Sequence, residues 1–343
     1  NANEEIKSTV QNINSIAEKI ASLNHQINVI EIQGGYANEL RDQRALLIDE
    51  LSEIVPTEAE ELPVQNSNDP ELPTGANYFT VKIGGQVLVD TYDYETLQCV
   101  ARENKVNQSD MDGLYDIKWE KTGNSFKAGA SSMSGTLKAL FDIRDGNNGE
   151  NFTGEARVID SKHVKVVSPS ITDIEAMTVP ESGTLTIYGK DYNYTNFTFE
   201  TDANGKITSY TFELEDALSQ QQSNKVDGMQ ASIGNSVDTM GVPYYMSQMN
   251  QFLRSFCSLF NDIMLKGQDL DGNATDYYSF FTGADQVTGE EYALGKSDKN
   301  NGNTTDCGAS SYYKLTASNI CVSSICVKDS SKLAAQYKTG TED

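Results

Sequence analysis

Between Glu4 and Glu31, apolar residues recur alternately three and four positions apart. Ile6, Ile13, Ile20 and Ile27 step by seven, and Ile16, Leu23 and Ile30 step by seven with an offset of three; Thr9 alone interrupts the second series. That spacing predicts one long helix with a narrow coiled-coil seam. Lys7, Gln11, Asn12, Asn14, Glu18, Lys19 and Asn28 fall beside the seam and are expected on the wet surface. At 1.5 Å per residue the helix is roughly 45 Å long, and its seam needs a partner.

Gly34-Gly35 reads as the stop of this helix, because glycine takes the left-handed turn without a steric penalty. A second helix is predicted over Asn38–Ile54, with Leu40, Leu47, Leu51 and Ile54 on one face, Asn38 as N-cap and Pro56 beyond its end. The short connection makes the two helices antiparallel neighbours. The acidic stretch from Thr57 to Gly75, with Pro63, Pro70 and Pro73, reads as a connector. Alternation at Phe79, Val81, Ile83, Val87 and Val89 around Gly84-Gly85 predicts a hairpin. Short strands are expected around Cys99–Ala101 and Leu114–Trp119, and a short helix within Ser131–Asp145.

From Asn151 the composition turns to β-branched and aromatic residues, with strand-like runs near Val158–Val167, Leu185–Tyr188, Tyr192–Phe199 and Ile207–Leu214 and an Asn204-Gly205 turn. Helical spacing resumes after Asp216 with Val226, Met229 and Ile233. It sharpens over Tyr244–Lys266, where Met246, Leu253 and Phe260 step by seven and Met249, Phe256 and Ile263 fill the alternate positions. This third seam is expected to pack along the far half of the first helix. The fold class read from these patterns is α+β and multidomain: an elongated antiparallel, coiled-coil-like helical bundle with inserted β-rich domains. The segments are 1–56 (two bundle helices), 57–150 (a hairpin-rich part of the bundle domain), 151–216 (an inserted β domain), 217–268 (returning bundle helices) and 269–343 (loops and short strands around Ile320, Val322 and Ile325, opening a further domain).

The 343-residue length accommodates several domains. Its 38% hydrophobic and 22% charged content is that of a globular protein, and the net charge of −24 disfavours nucleic acid and anionic membrane as partners. No apolar run is long enough to span a bilayer. The opening residues carry no secretory signal pattern, and the chain reads as an excerpt of a longer protein. Cys99, Cys257, Cys307, Cys321 and Cys326 fit neither a disulfide framework nor a zinc pattern.

A catalytic set, a cofactor motif and a metal cluster are not expected. His25 and His163 lack sequence neighbours that would make a nucleophilic pair. Asp269-Leu270-Asp271-Gly272-Asn273 has the opening of a calcium loop without its later ligands and reads as a turn. Arg41, Asp42 and Arg44 read as helix-surface ion pairing. The 17 tyrosines cluster in the β segments, and exposed Tyr192, Tyr194 and Tyr210 would be the basis of a binding module carried by 151–216.

Three segments resemble a known family. Ile20-Ala21-Ser22-Leu23-Asn24-His25-Gln26-Ile27, then Gly34-Gly35, then Asn38, Leu40, Asp42-Gln43-Arg44, Leu47, Leu51 and Ile54-Val55, resemble hook-associated protein 1, the first hook–filament junction protein of bacterial flagella. Met249-Asn250-Gln251-Phe252-Leu253-Arg254-Ser255-Phe256 with Phe260-Asn261, followed by Gly267, Asp269–Gly272 and Phe280-Phe281, resembles a later helix of the same family. Leu315–Ala335 is similar to its next strand, departing at Ser330 and Ser331, whereas Asn151–Asp216 has no counterpart and reads as an insertion. The resemblance covers roughly a third of the chain. It implies a structural role without catalysis or cofactor, at an extracellular site on the flagellum, after export through the flagellar channel without a cleaved signal peptide. The implied partners are the hook protein, the second junction protein, copies of the chain in a ring and an export chaperone. It also implies that the terminal axial helices lie outside this chain, so the isolated chain is expected to be a monomer. Flagellin, which also pairs heptad helices with β insertions, is the alternative within the same class.

Overall fold

A computed structural model describes residues 1–67, 73–275, 278–294, 304–306 and 311–337. It is mixed α and β and divides into two compact units, Asn1–Glu103 with Asp112–Gly146, and Asn104–Met111 with Asn147–Asp343. Cys307 and Pro70 lie outside the described residues.

The first unit is built on helix α1 (Ala2–Ile32). Gly34 sits at φ +81°, and the amides of Gly34 and Gly35 return to the carbonyls of Glu31 and Ile30, closing the helix end. Helix α2 (Asn38–Ile54) then runs back along α1, with Ala37 rather than Asn38 in the N-cap position. Strands β1 (Thr57–Gln65), β2 (Pro73–Ile83), β3 (Gln86–Asp90) and β4 (Asp93–Tyr94) form a four-stranded antiparallel sheet in chain order. Strands β5 (Leu97–Ala101) and β6 (Tyr115–Trp119) make a separate pair, and helix α3 (Gly135–Asp145) closes the unit.

The expected 57–75 connector is therefore a correction. Residues 57–65 pair with β2 from Thr57↔Ile83 to Gln65↔Pro73. Most of β1 is exposed, so no buried stripe marked it in the sequence; it is ordered by the ladder that β2 offers. Pro63 is tolerated because β1 is an edge strand.

The seam of α1 is filled within this unit. Ile6, Val10, Ile13, Ile16, Ala17 and Ile20 are buried against Leu51 and Ile54 of α2, Leu137 and Phe141 of α3, and Val81, Ile83, Leu88, Leu97, Ile117 and Trp119 of the strands. Leu23 and Ile27 form a smaller cluster with Ala37, flanked by half-buried Leu40 and Leu47, and Ile30 is exposed. Each buried isoleucine contributes about 1.5–3 kcal/mol relative to exposure. The helix thus packs against α2 and α3 and against strands of both sheets, which departs from the expected coiled-coil-like helical bundle.

The second unit holds an antiparallel sheet that closes on itself. Strands β7 (Phe152–Val158), β8 (His163–Val167), β9 (Gly183–Ile187), β10 (Lys190–Thr201), β11 (Ile207–Leu214) and β12 (Gln230–Ile233) pair in the cycle β11–β8–β7–β12–β9–β10 and back to β11. The long β10 closes the ring by pairing with β9 through its first half and with β11 through its second, the ladder shifting register between Tyr194 and Asn196. A three-residue strand, Thr304–Asp306, adds to the outer edge of β10. Helical spacing at Val226, Met229 and Ile233 predicts one helix; the structure instead has a short helix α4 (Gln220–Val226) ending in a tight turn and then β12, a central strand. Helix α5 (Val242–Met264) follows the barrel.

The barrel interior is aromatic. Phe152, Tyr194, Phe197, Phe199, Tyr210 and Phe212 are all buried, with Phe152 edge-on to Tyr210 and Tyr194 edge-on to Phe212 at centroid distances of 5.0 and 4.8 Å. Tyr194 and Tyr210 donate their hydroxyls to the carbonyls of Pro180 and Ile171. Neither ring is available as a binding platform, and Tyr192 is half-buried with the Lys190 ammonium 5.3 Å from its ring centroid, so the exposed three-tyrosine surface behind the alternative reading of 151–216 as a binding module is not formed.

Candidate assembly surfaces

In the first unit, the family-like residues of the helix hairpin converge. Arg44 is buried on α2, its guanidinium carbon 3.7 Å from the centroid of the Phe79 ring. Its Nη1 donates to Asn24 Oδ1 at 2.8 Å and its Nη2 to Glu61 Oε2 at 3.0 Å. Arg41 grips Glu31 with two bonds of 2.7 Å and adds a third to Glu61 at 3.0 Å. The bond from Arg41 holds the Glu31 carboxyl below the usual carboxylate range, and burial pulls the Arg44 guanidinium below its usual value. The expected helix-surface ion pairing is thus corrected: Arg41 and Arg44 tie α2 to the end of α1 and to β1, while Asn38, Asp42 and Gln43 face solvent.

A second set of polar contacts went unread in the sequence. Asn14 and Asn28, expected on the wet surface, dock strands onto α1. Asn14 donates to the Leu97 carbonyl and accepts from the Leu97 amide, both at 2.8 Å. Asn28 donates to the Asn77 carbonyl and the Tyr92 hydroxyl and accepts from the Asn77 amide. Asn3 does the same near the start of the helix, accepting from the Tyr115 amide and donating to Gly113. Asn24 donates to the Thr91 carbonyl at 2.7 Å. A carboxamide offers a donor and an acceptor together, so one side chain satisfies both backbone groups of a strand that lacks a neighbour there. The signal was present as asparagine recurring on the strand-facing side of the helix. His25 is exposed and edge-on to Tyr92, and His163 lies 2.8 Å from Asp160.

Helix α5 inverts the ordinary pattern. Beyond Pro243 in its first turn, its buried residues are Asn250, Arg254, Cys257, Ser258 and Asn261, and the polar ones among them are spaced three or four apart. Arg254 is fully buried, and donates to the carbonyls of Glu175, Met177, Tyr313 and Leu315 and to Gln108 Oε1. Asn250 bridges Ser109 and the Ala317 amide, and Asn261 bridges Tyr312 and both backbone groups of Phe281. These polar groups pin irregular segments, whose backbones need partners that helices and sheets do not supply. Burial pushes the Cys257 thiol up to about 11.

The predicted seam of α5 faces the other way. Met249, Phe256 and Ile263 are exposed, Met246, Leu253 and Phe260 are half-buried, and Phe252 and Leu259 are 72% and 68% accessible. Phe252, Phe256, Phe260, Phe280 and Phe281 form a half-open aromatic row. The expectation that this helix fills the far half of the α1 seam is corrected: that seam is covered inside the first unit, and α5 belongs to the second. Contiguous apolar surface of this kind marks an interaction face.

Asp269 accepts bonds from the amides of Asp271 and Asn273 and from Lys332, so its carboxylate holds a turn. Among the described residues no helix is long and apolar enough to cross a membrane.

Residues 1–154 match the family model described as the flagellar hook-associated protein FlgK helical domain. A solved structure of the flagellar hook junction protein FlgK from Burkholderia pseudomallei aligns with 69% of this chain at 16% identity and a TM-score of 0.33. The alignment takes in 48% of that protein, so the chain spans about half its length. No curated protein matches the chain.

Proposed function

We propose that this chain, whose residues 1–154 match the family model of the flagellar hook-associated protein FlgK helical domain, is a structural subunit of the junction between flagellar hook and filament. The observation that carries the reading is the family match over the whole first unit, including the α1–α2 hairpin with its Asn24, Arg41 and Arg44 ties. On this reading the role is mechanical. The unit transmits load through a buried heptad core and a set of charge-assisted bonds that fix α1, α2 and β1 to one another. The partners are the hook protein, the second junction protein and neighbouring copies of the chain, outside the cell, after export assisted by a chaperone.

The outward seam of α5 fits the same role. Its apolar row carries no exposed basic residue, and the α1 seam with which it was expected to pair is already covered. We assign it to a heptad-patterned helix of a neighbouring subunit, so that the coiled-coil-like bundle is completed on assembly. The isolated chain is then a monomer whose apolar row awaits that helix.

The test is pull-down of purified hook protein and second junction protein by the folded chain. Binding of at least one, weakened by the double variant Phe252→Ser/Leu259→Ser, is the expected result. Binding to neither by a chain with an intact cooperative melt would overturn the reading.

A further inference from the structure

The second unit contains a cleft of about 490 Å³ between the first turns of α5 and the loops 147–151 and 170–178. The volume lies in the range of small-molecule sites, about 300–1,000 Å³. The lining is more polar than such sites usually are, and that fixes the kind of ligand it suits.

The residues that line the cleft include the carboxylates Glu150 and Asp173, the carboxamides Gln248 and Gln251, the hydroxyl residue Thr172 and the aromatic Tyr244. No lysine, arginine or histidine is among the described residues that line it. Among the described residues, the side chains of Thr172, Gln248 and Gln251 make no hydrogen bond. Asp173 spends one oxygen on the Glu175 amide, and Glu150 spends one on Asn148, leaving the second oxygen of each. Tyr244 is edge-on to Tyr245 at 5.3 Å, which steadies the ring.

The walls are held from behind. Arg254 fixes the 174–177 loop through the carbonyls of Glu175 and Met177, and Ser255 donates to Glu175 at 2.8 Å. Asn147 clamps the other wall, donating to the Asn235 carbonyl and accepting from the amides of Gly149 and Val237. A cleft with fixed walls loses less ordering entropy on binding.

From this arrangement we propose that the cleft binds a neutral oligosaccharide. A carboxamide pairs with adjacent hydroxyls as donor and acceptor together, a carboxylate accepts from two neighbouring hydroxyls, and a tyrosine ring stacks on the C–H face of a sugar. An anion is disfavoured by two carboxylates with no cation beside them. The inference is independent of the junction reading.

The experiment is calorimetric titration of the whole chain with chitotriose, maltotriose and mannotriose, with spermidine and inorganic phosphate as charged controls. Amide-side-chain NMR resonances of Gln248 and Gln251 report the location without any substitution. The expected result is binding of at least one trisaccharide that shifts those resonances, with affinity falling roughly tenfold in Tyr244→Ala and in Gln251→Ala at unchanged melting temperature. No shift by any of the three sugars at about 10 mM overturns the proposal, tenfold above a millimolar dissociation constant. So does binding of spermidine alone, lost in Asp173→Asn, which would make the cleft an amine site.

Discussion

Arg44 on α2 and Asn24 on α1 meet 2.8 Å apart, and Asn24 passes its amide on to the carbonyl of Thr91. Thr91 is a β-branched residue at φ +54°, a conformation that costs of order 1–3 kcal/mol and survives only where the surroundings impose it. Its amide is held by the Phe79 carbonyl and its own carbonyl by Asn24. Asn24→Ala therefore leaves the Thr91 carbonyl and one arm of Arg44 without partners. The expected loss is about 2–6 kcal/mol, summing two buried unpaired groups at roughly 1–3 kcal/mol each, measured as a shift in denaturant midpoint. Arg44→Lys is expected to be similarly damaging, because an ammonium replaces neither the fork nor the stack on Phe79.

Asn14 gives a cleaner contrast with a neighbour. Asn14→Ala strips both partners from Leu97 and is expected to cost about 1–3 kcal/mol. Asn12 bonds only the exposed side chain of Glu50, and Asn12→Ala is expected to change stability by less than about 0.5 kcal/mol. Equal melting curves for the two variants would contradict the docking role of Asn14.

These residues mark the limit of what the sequence disclosed. The seven-residue step of isoleucine was legible because four repeats leave few other ways to bury them. The asparagines were not, because a polar residue beside a seam reads as solvated unless the strand backbone it serves is known. β1 was hidden for the complementary reason: it buries little, and its order comes from the edge of β2. β12 was misread since Val226, Met229 and Ile233 fit a helical face by spacing alone. On α5 the apolar seam was plain, but the polar row Asn250, Arg254, Ser258, Asn261 has the same helical period, and the irregular segments around it decided which row went inside.

Acid stability follows from two depressed carboxylates. Hydrogen bonding from Arg41 lowers Glu31. Burial pushes Asp145 up, but the bond from Arg144 and the charge of Arg102 outweigh it, so it too ends below its usual value. A group lowered on folding contributes stability that is fully present above its unfolded pKa, about 4, and is lost as pH falls through the folded value. Stability is expected to be flat from about pH 6 to 8 and to fall below about pH 4. Asp145→Asn should lower the plateau and flatten part of the acid limb in a pH series of melting curves.

Thiol reactivity separates the cysteines. Cys257 is fully buried with its thiol raised to about 11, whereas Cys99 and Cys321 are only half-buried. Iodoacetamide at pH 8 is expected to modify Cys99 and Cys321 in the native chain and to reach Cys257 only after unfolding, read by peptide mass mapping.

The central claim is that two seams with the same heptad spacing have opposite fates, one filled within its own unit and one facing outward. Matched charge insertions test it most directly. Ile20→Asp places an unpaired carboxylate in a core position with 0% exposure, and Met249→Asp places one on the open face of α5, at a residue 53% exposed. The expected result in thermal melts of the isolated chain is loss of the cooperative transition of the first unit for Ile20→Asp and an unchanged melt for Met249→Asp. A wild-type melt for Ile20→Asp, or equal damage from both, would contradict the account.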